Sequence, residues 1–342
     1  MKLLRFAVLV LALVVLGIAV SDAQQVLTQQ PSSATSKEPF ETTLSRTVVL
    51  ITITIAGYPK PLEGTGFLVG MNDSRLPGDQ SFTYLVTNRH VAQAIFKDQT
   101  GQCTPHRVIT TDVTLNLKTT SSRNRATHVR LFGPEYGPMS WFFPEEAGAD
   151  LAVLPVSFPP NLYDLASVSA NSFMTSDRSQ NLTISTGDKL LTVGFFRPYA
   201  GTHQFQPMVR EGILALVPDD KMPSTVCGAP ANVYLADVHV IPGNSGSPMF
   251  LGFRSFLGGL VGTSDGSIPY GLLGVVSGYM YEDSDLTLRV ATDYEAVLHA
   301  NSGIAVVVPA EQLKALLLSP PLQKLRDQAI AAMPPKPETP KP

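Results

Sequence analysis

The sequence predicts an all-β protein of sandwich or barrel architecture that ends in a helix. Three observations carry this. From Arg46 onward, short apolar or alternating runs such as "TVVLITITIAG", "GTGFLVG", "TYLVTNRHVA", "DLAVLPV" and "YGLLGVVSGYMY" are separated by Gly, Pro, Asn and Asp, the pattern of strands joined by turns. Amphipathic helical spacing is almost missing over the same span, which leaves sheets to bury the core. It returns only in "GIAVVVPAEQLKALLLSP", a last strand and then a helix beginning near Pro309. There Leu313, Leu316 and Leu317 share one face and are expected to pack against the sheets.

The elements before and after this body read differently. Lys2 and Arg5 precede an unbroken apolar run, Phe6–Val20, and Ser21 and Ala23 are spaced for a cleavage site, so residues 1–23 read as a secretory signal peptide. The run is shorter than the ~20 residues that span a bilayer, and the chain meets a membrane only if this segment stays uncleaved as an anchor. Either way the remainder is expected outside the cytoplasm, secreted or periplasmic. Residues 24–45, polar with Pro and Ser and without apolar period, read as a flexible leader. Residues 46–318 form the folded body, with a boundary between two halves expected near 160–180. Residues 319–342 carry the helix end and the extended tail "PPKPETPKP".

Composition narrows the function classes. With 342 residues, 44% hydrophobic and 15% charged, the chain is long enough for one large core or two moderate ones. The net charge of −3 and the lack of a basic run interleaved with aromatics argue against a nucleic-acid partner. No His-x-x-x-His or paired-cysteine spacing suggests a metal, and no cofactor is expected. The two cysteines, Cys103 and Cys227, either form the single bridge that an exported protein permits or remain buried thiols. The oligomeric state has no signature.

The chemistry-bearing residues emerge from one turn. "PGNSGSP", Pro242–Pro248, holds Ser245 where glycines permit a sharp bend and leave N–H groups unpaired. A serine hydroxyl is a poor nucleophile until a base takes its proton, and the base works best when a third group fixes its tautomer. Of the six histidines, only His90 ends a strand-like run and opens a helical turn, a place where a side chain is displayed into a cleft. In "GADLAVLPV", Asp150 stands at the mouth of a strand, suited to holding an imidazole N–H. The chain order is then His, Asp, Ser, unlike the Ser, Asp/Glu, His of α/β-hydrolases or the Asp, His, Ser of subtilisins.

"GTGFLV", "LVTNRHVA", "DLAVLPV" and "GNSGSP", in that order, resemble the chymotrypsin/trypsin-like serine peptidase superfamily, most nearly its bacterial HtrA-like branch without the peptide-binding PDZ domain. The resemblance covers roughly Arg46 to Leu317. It implies two six-stranded antiparallel β-barrels of chymotrypsin type followed by a C-terminal helix, and a peptidase acting on protein or peptide substrates. Carried over residue by residue, Ser245 attacks the scissile carbonyl, His90 takes and returns its proton, and Asp150 orients His90. The backbone N–H groups of Gly243 and Ser245 form the oxyanion hole.

Two departures from trypsin matter. Asn244 stands where digestive enzymes carry the aspartate that pairs with a newly released N-terminal amine, so no amine-driven activation is expected. The substrate pocket is implied to be walled by "DVHVIPG" and "VVSGY", which makes His239, Val240, Ser277, Gly278 and Tyr279 its candidate residues. No Asp lies at its base, so cleavage after Lys or Arg is not expected. A partly protonated His239 favours acidic side chains; if alternation turns it away, Val240 leaves a small apolar pocket, and the reading favours small or medium apolar residues. The competing class is a catalytically idle relative that uses the barrels as a binding scaffold. An esterase on another fold is disfavoured because "GNSGS" is not a Gly-x-Ser-x-Gly elbow.

Overall fold

The computed structural model describes residues 40–333, apart from 79, 98–100, 119–124, 135–139, 176–183, 224–226, 253–269 and 290–292. The expected signal peptide, most of the leader and the proline-rich tail lie outside the described residues. Among the described residues no helix is long and apolar enough to cross a membrane. The described residues from 41 onward cluster as one unit.

A short helix, α1 (Phe40–Ser45), leads into β1 (Val48–Ile55), β2 (Leu62–Asn72) and β3 (Ser81–Thr87). The four-residue helix α2 (Arg89–Ala92) follows, then the small hairpin β4 (Ile95–Lys97) and β5 (Cys103–Pro105). The first half continues with β6 (Val108–Asn116), β7 (Ala126–Phe132), β8 (Ala152–Pro155) and β9 (Val168–Ser169). The second half holds β10 (Lys189–Gly194), β11 (Met208–Leu216), β12 (Met222–Pro223), β13 (Pro230–Ala231), β14 (Tyr234–Asp237) and β15 (Pro248–Gly252). It closes with the long hairpin β16 (Tyr270–Arg289) and β17 (Asp293–Pro309), then α3 (Ala310–Leu317) and α4 (Pro320–Ala331).

The second half is the expected closed six-stranded barrel, ordered β10-β11-β14-β17-β16-β15. The first half differs in detail from six closed antiparallel strands. It is a seven-stranded sheet with the path β7-β6-β1-β2-β3-β8, in which β7 and β8 do not pair among the described residues, with β9 added to the side of β2. The cause is the length of β2. Its pairing with β1 stops at Phe67, while its pairing with β3 runs on to Asn72. The exposed edge beyond Phe67 is taken by β9, parallel, at Val69 and Gly70. Gly70 permits the approach, since a Cβ there would lie 2.8 Å from the Ser167 hydroxyl.

Period-two alternation builds both cores. In β1, Val49, Ile51, Ile53 and Ile55 turn inward onto Leu68, Leu85, Val113, Leu115 and Leu154. In the barrel, Leu190, Leu214, Ala236, Met249, Val276 and Val307 form the second cluster. Each fully buried Leu, Ile or Val of this kind contributes roughly 1.5–3 kcal/mol relative to exposure. Leu313, Leu316 and Leu317 are buried as their spacing implied, and α3 packs on β16 and β17. Pro320 then starts a second helix at its first position, where its missing N–H is no loss.

Cys103 and Cys227 form a disulfide with Cα atoms 5.8 Å apart across 124 residues of sequence. It ties the hairpin after α2 to the segment joining β12 and β13. In the chain-entropy account, a loop of that length restrains the unfolded chain by about 4 to 5 kcal/mol. Replacing both cysteines by serine is therefore expected to lower the urea-unfolding free energy by about that amount, measured from the denaturation midpoint at constant slope.

Candidate active site

The three sequence-selected side chains come from three elements. His90 lies in α2, one turn beyond the end of β3, and Asp150 stands two residues before the start of β8. Ser245 lies in the turn before β15. β3 and β8 are antiparallel neighbours, with Thr87 opposite Ala152, so the end of one strand and the start of the other fall side by side.

Asp150 is buried and receives three hydrogen bonds. The His90 backbone N–H donates to Oδ1 at 3.0 Å, and the His90 ring meets Oδ2 through Nδ1 at 2.8 Å. The Ser277 hydroxyl donates to Oδ2 at 2.5 Å. With Nδ1–H held by a carboxylate, the basic lone pair of His90 is left on Nε2. Burial alone pushes the Asp150 carboxyl up. The charge of His90 and the bonds from its ring, from Ser277 and from the His90 backbone outweigh it, and hold Asp150 below the usual carboxylate range.

Three residues fix the backbone around Asp150. Asn88, fully buried, donates from Nδ2 to the Asp150 carbonyl at 2.8 Å. Gly148 packs against the other half of the molecule so closely that a Cβ would lie 2.1 Å from the Pro230 carbonyl oxygen. Arg89 adds a bond from Nη2 to the Pro144 carbonyl at 2.5 Å. All three residues of "NRH" therefore reach toward the Asp150 segment.

The serine turn is held from both halves. Gly243 and Gly246 have φ of +102° and +89°, a region that favours glycine. At Gly246 a Cβ would stand 1.9 Å from the Thr65 carbonyl oxygen. Asn244 is buried, with Nδ2 donating to the Phe195 carbonyl at 2.7 Å and Oδ1 accepting from the Ile241 N–H at 2.9 Å. Its amide thus takes both partners from backbone, one in each role.

Thr65, from the "GTGF" stretch of β2, makes four contacts to this region. Its N–H donates to the Ser245 carbonyl at 2.8 Å. Its hydroxyl donates to the Gly243 carbonyl at 2.8 Å and accepts from the Phe195 N–H at 2.9 Å. Its own carbonyl accepts from the Thr87 hydroxyl at 2.8 Å. Within the turn, the N–H groups of Asn244, Gly246 and Ser247 donate to the carbonyls of Ile241, Val276 and Asn244. Those of Gly243 and Ser245 have no acceptor among the described residues, so the turn offers two unpaired donors flanking the serine.

Ser277 joins the parts. β16 and β17 slip register between Val276, opposite Val307, and Gly278, opposite Val306. Ser277 is the extra residue of this bulge, a device that re-aims a side chain. Its hydroxyl goes to Asp150, while its carbonyl accepts from the Ser245 hydroxyl at 3.1 Å. Ser277 therefore contacts both Ser245, through its carbonyl, and the Asp150–His90 pair, through its hydroxyl.

The expected pocket residues are distributed otherwise than the sequence suggested. Strand alternation turns Val238 and Val240 into the barrel core and leaves His239 exposed. Val240 is buried with the barrel core. Ser277 faces Asp150, as above. Gly278 is half-buried opposite Val306. Tyr279, packed partly on the barrel core, lies with its ring 5.0 Å from that of Tyr281. Its hydroxyl is pushed up to about 12 by burial and by the bond to Tyr281. Sequence reasoning missed the roles of Thr65 and Asn88, although both stand inside the quoted motifs.

The family model described as "Trypsin-like peptidase domain" matches residues 64–257. The chain belongs to the trypsin-like peptidase family. Among solved structures it is similar to the Rv3671c protease from M. tuberculosis in its active form. That match has 15% identity over 84% of this chain and 86% of that one, with a TM-score of 0.40. It is also similar to the MamO protease domain from Magnetospirillum magneticum, at 14% identity over 81% of this chain and 98% of that one, with a TM-score of 0.41. No curated protein matches.

The Thr65 contacts lead to a specific expectation. Thr65→Val keeps the shape but leaves the Phe195 N–H and the Gly243 carbonyl without partners, and is expected to destabilise the protein by on the order of 3 kcal/mol. Thr65→Ser, which restores the hydroxyl, is expected to recover most of this in the same thermal or denaturant measurement.

Proposed function

We propose that this chain is an exported serine endopeptidase, hydrolysing peptide bonds of protein or peptide substrates through an acyl-enzyme intermediate. The observation that carries the reading is the buried Asp150 carboxylate holding the His90 ring through Nδ1, together with Ser245 in a turn whose Gly243 and Ser245 N–H groups have no acceptor among the described residues. Ser245 is the nucleophile and His90 Nε2 the base. Asp150 holds the ring in the tautomer that keeps Nε2 basic and stabilises the imidazolium that forms. The N–H groups of Gly243 and Ser245 bind the developing oxyanion, where one donor of this kind contributes roughly 3 to 4 kcal/mol. Proton transfer requires the Ser245 hydroxyl to leave the Ser277 carbonyl for Nε2. Such bonds tighten in the substrate complex.

No amine-driven activation enters this mechanism. The Asn244 amide is engaged by Phe195 and Ile241, and it carries no charge to compensate a buried ammonium. Export rests on the N-terminal basic and apolar pattern, and the Cys103–Cys227 bridge supports an oxidising destination. With Val240 in the core and His239 exposed, the preference for small or medium apolar residues rests on the lack of an acidic pocket base.

The competing reading, an idle scaffold, draws on the Ser245 hydroxyl pointing to a carbonyl rather than to His90. A fluorophosphonate probe separates the two. The enzyme reading expects covalent labelling of Ser245 and cleavage of a denatured protein mixture, both lost in Ser245→Ala. Asp150→Asn is expected to lower kcat by a factor on the order of 10⁴, the scale of a wrong imidazole tautomer. Folded wild-type protein that neither labels nor cleaves supports the scaffold.

A further inference from the structure

The C-terminal helix α4 places a charge where its apolar face should be. Leu322 and Arg326, one turn apart, are the buried residues of this helix, and Arg326 is only 5% exposed. Its guanidinium makes two hydrogen bonds, both from Nη1: to the Tyr84 hydroxyl at 3.0 Å and to the Leu317 carbonyl, at the end of α3, at 2.8 Å. A guanidinium has five N–H donors. The three on Nε and Nη2 have no acceptor among the described residues, and no carboxylate pairs with Arg326.

That unused edge is the one with which this chain's other arginines hold carboxylates. Arg75 donates from Nε and Nη2 to the two oxygens of Asp73 at 2.9 and 2.7 Å. Arg130 does the same to Asp112 at 2.7 and 3.3 Å. Among the described residues the acids at the same corner hydrogen-bond to Arg75, which engages both Asp73 and Asp327. The Asp73 charge acts on Arg326 from a distance, but both hydrogen bonds of Arg326 go to neutral acceptors, and bidentate contact with a carboxylate is the arrangement that best satisfies a guanidinium edge.

Arg326 lines a cleft of about 800 Å³ between α4 and the ends of β3 and β8, and no acidic residue lines it. Phe82, Val156, Phe158 and Leu325 give it apolar walls, with Leu325 41% exposed. None of His90, Asp150, Ser245 or Ser277 borders it. The size is within the range of ligand pockets. Gln80, Ser81, Thr83, Tyr84 and Ser157 also line it, and among the described residues Arg326 is its one cationic residue, which suits a single negative charge on a largely apolar body.

We propose that this cleft is a binding site for a monocarboxylate carried on an apolar body, with the carboxylate on the Nε/Nη2 edge of Arg326 and the body against Phe82, Val156, Phe158 and Leu325. The chemistry is shared by a medium-chain organic acid and by the free C-terminus of an apolar peptide.

Calorimetric titration of the full chain tests this with four probes: octanoate, octanamide, an apolar heptapeptide with a free carboxyl terminus, and the same peptide amidated. At least one acid is expected to bind, with its amide weaker by about tenfold or more, the scale of a charge-assisted bond. Octanoate binding alone assigns the site to small acids, and peptide binding alone assigns it to chain termini. Arg326→Met is expected to weaken the acid to the level of its amide. Should that variant not fold, Ala329→Phe, placed on the exposed side of α4 where it lines the cleft, is expected to abolish binding with the circular dichroism spectrum and melting temperature unchanged. Failure of both acids to bind, equal binding of acid and amide, or acid binding that survives Ala329→Phe overturns the proposal. None of these outcomes bears on Ser245 labelling.

Discussion

A carboxylate taken out of water must be compensated where it sits, and Asp150 is that group here. It is nearly fully buried, and it is met by the backbone N–H and ring of His90 from one side and the Ser277 hydroxyl from the other. Those donors belong to different halves of the molecule. His90 follows β3 of the open sheet, and Ser277 belongs to β16 of the closed barrel. The buried charge therefore demands that the two halves meet at one place, and the remaining geometry of the site follows from that demand.

The serine turn obeys a second constraint of the same kind. Its glycines bend it sharply enough to leave two N–H groups unpaired, but a bend so free of internal bonds needs external support. Thr65 provides it from β2, bonding the carbonyls of Gly243 and Ser245 while using its hydroxyl to hold Phe195. Asn244 completes the frame from inside the turn. Rigid carbonyls and unpaired N–H groups in one short loop are what a site that stabilises developing negative charge requires. The disulfide and the tight seat of Gly148 on Pro230 hold neighbouring segments in the same way.

Much of this was legible in the residues, for a physical reason. A turn that must adopt positive φ needs glycine, a strand that buries one face alternates, and a base that ends a strand stands next to polar residues; "PGNSGSP", "VVLITITI" and "TNRH" display these constraints locally. What depended on long-range pairing was not legible. The edge of β2 filled by β9 reflects where β1 stops, which no local pattern records. The bulge that turns Ser277 toward Asp150 depends on register with β17, so Ser277 read as a pocket wall. His239 and Val240 were left open because alternation fixes only that they differ, not which faces inward. Arg326 drew no reading from the sequence, since its burial comes from α4 folding back on Tyr84.

The most direct measurement of the central claim is the ionisation of Asp150 itself. Its ¹³C carboxyl resonance, assigned by its loss in Asp150→Asn, can be followed as the folded protein is acidified. A carboxyl held below its ordinary value contributes stability that is fully present above that value and is lost only as the pH falls through the depressed one. The signal is therefore expected to remain that of a carboxylate as the pH passes below 3.8, the ordinary aspartate value. A resonance that protonates at or above that pH would mean that burial outweighs His90 and Ser277, and would contradict the account.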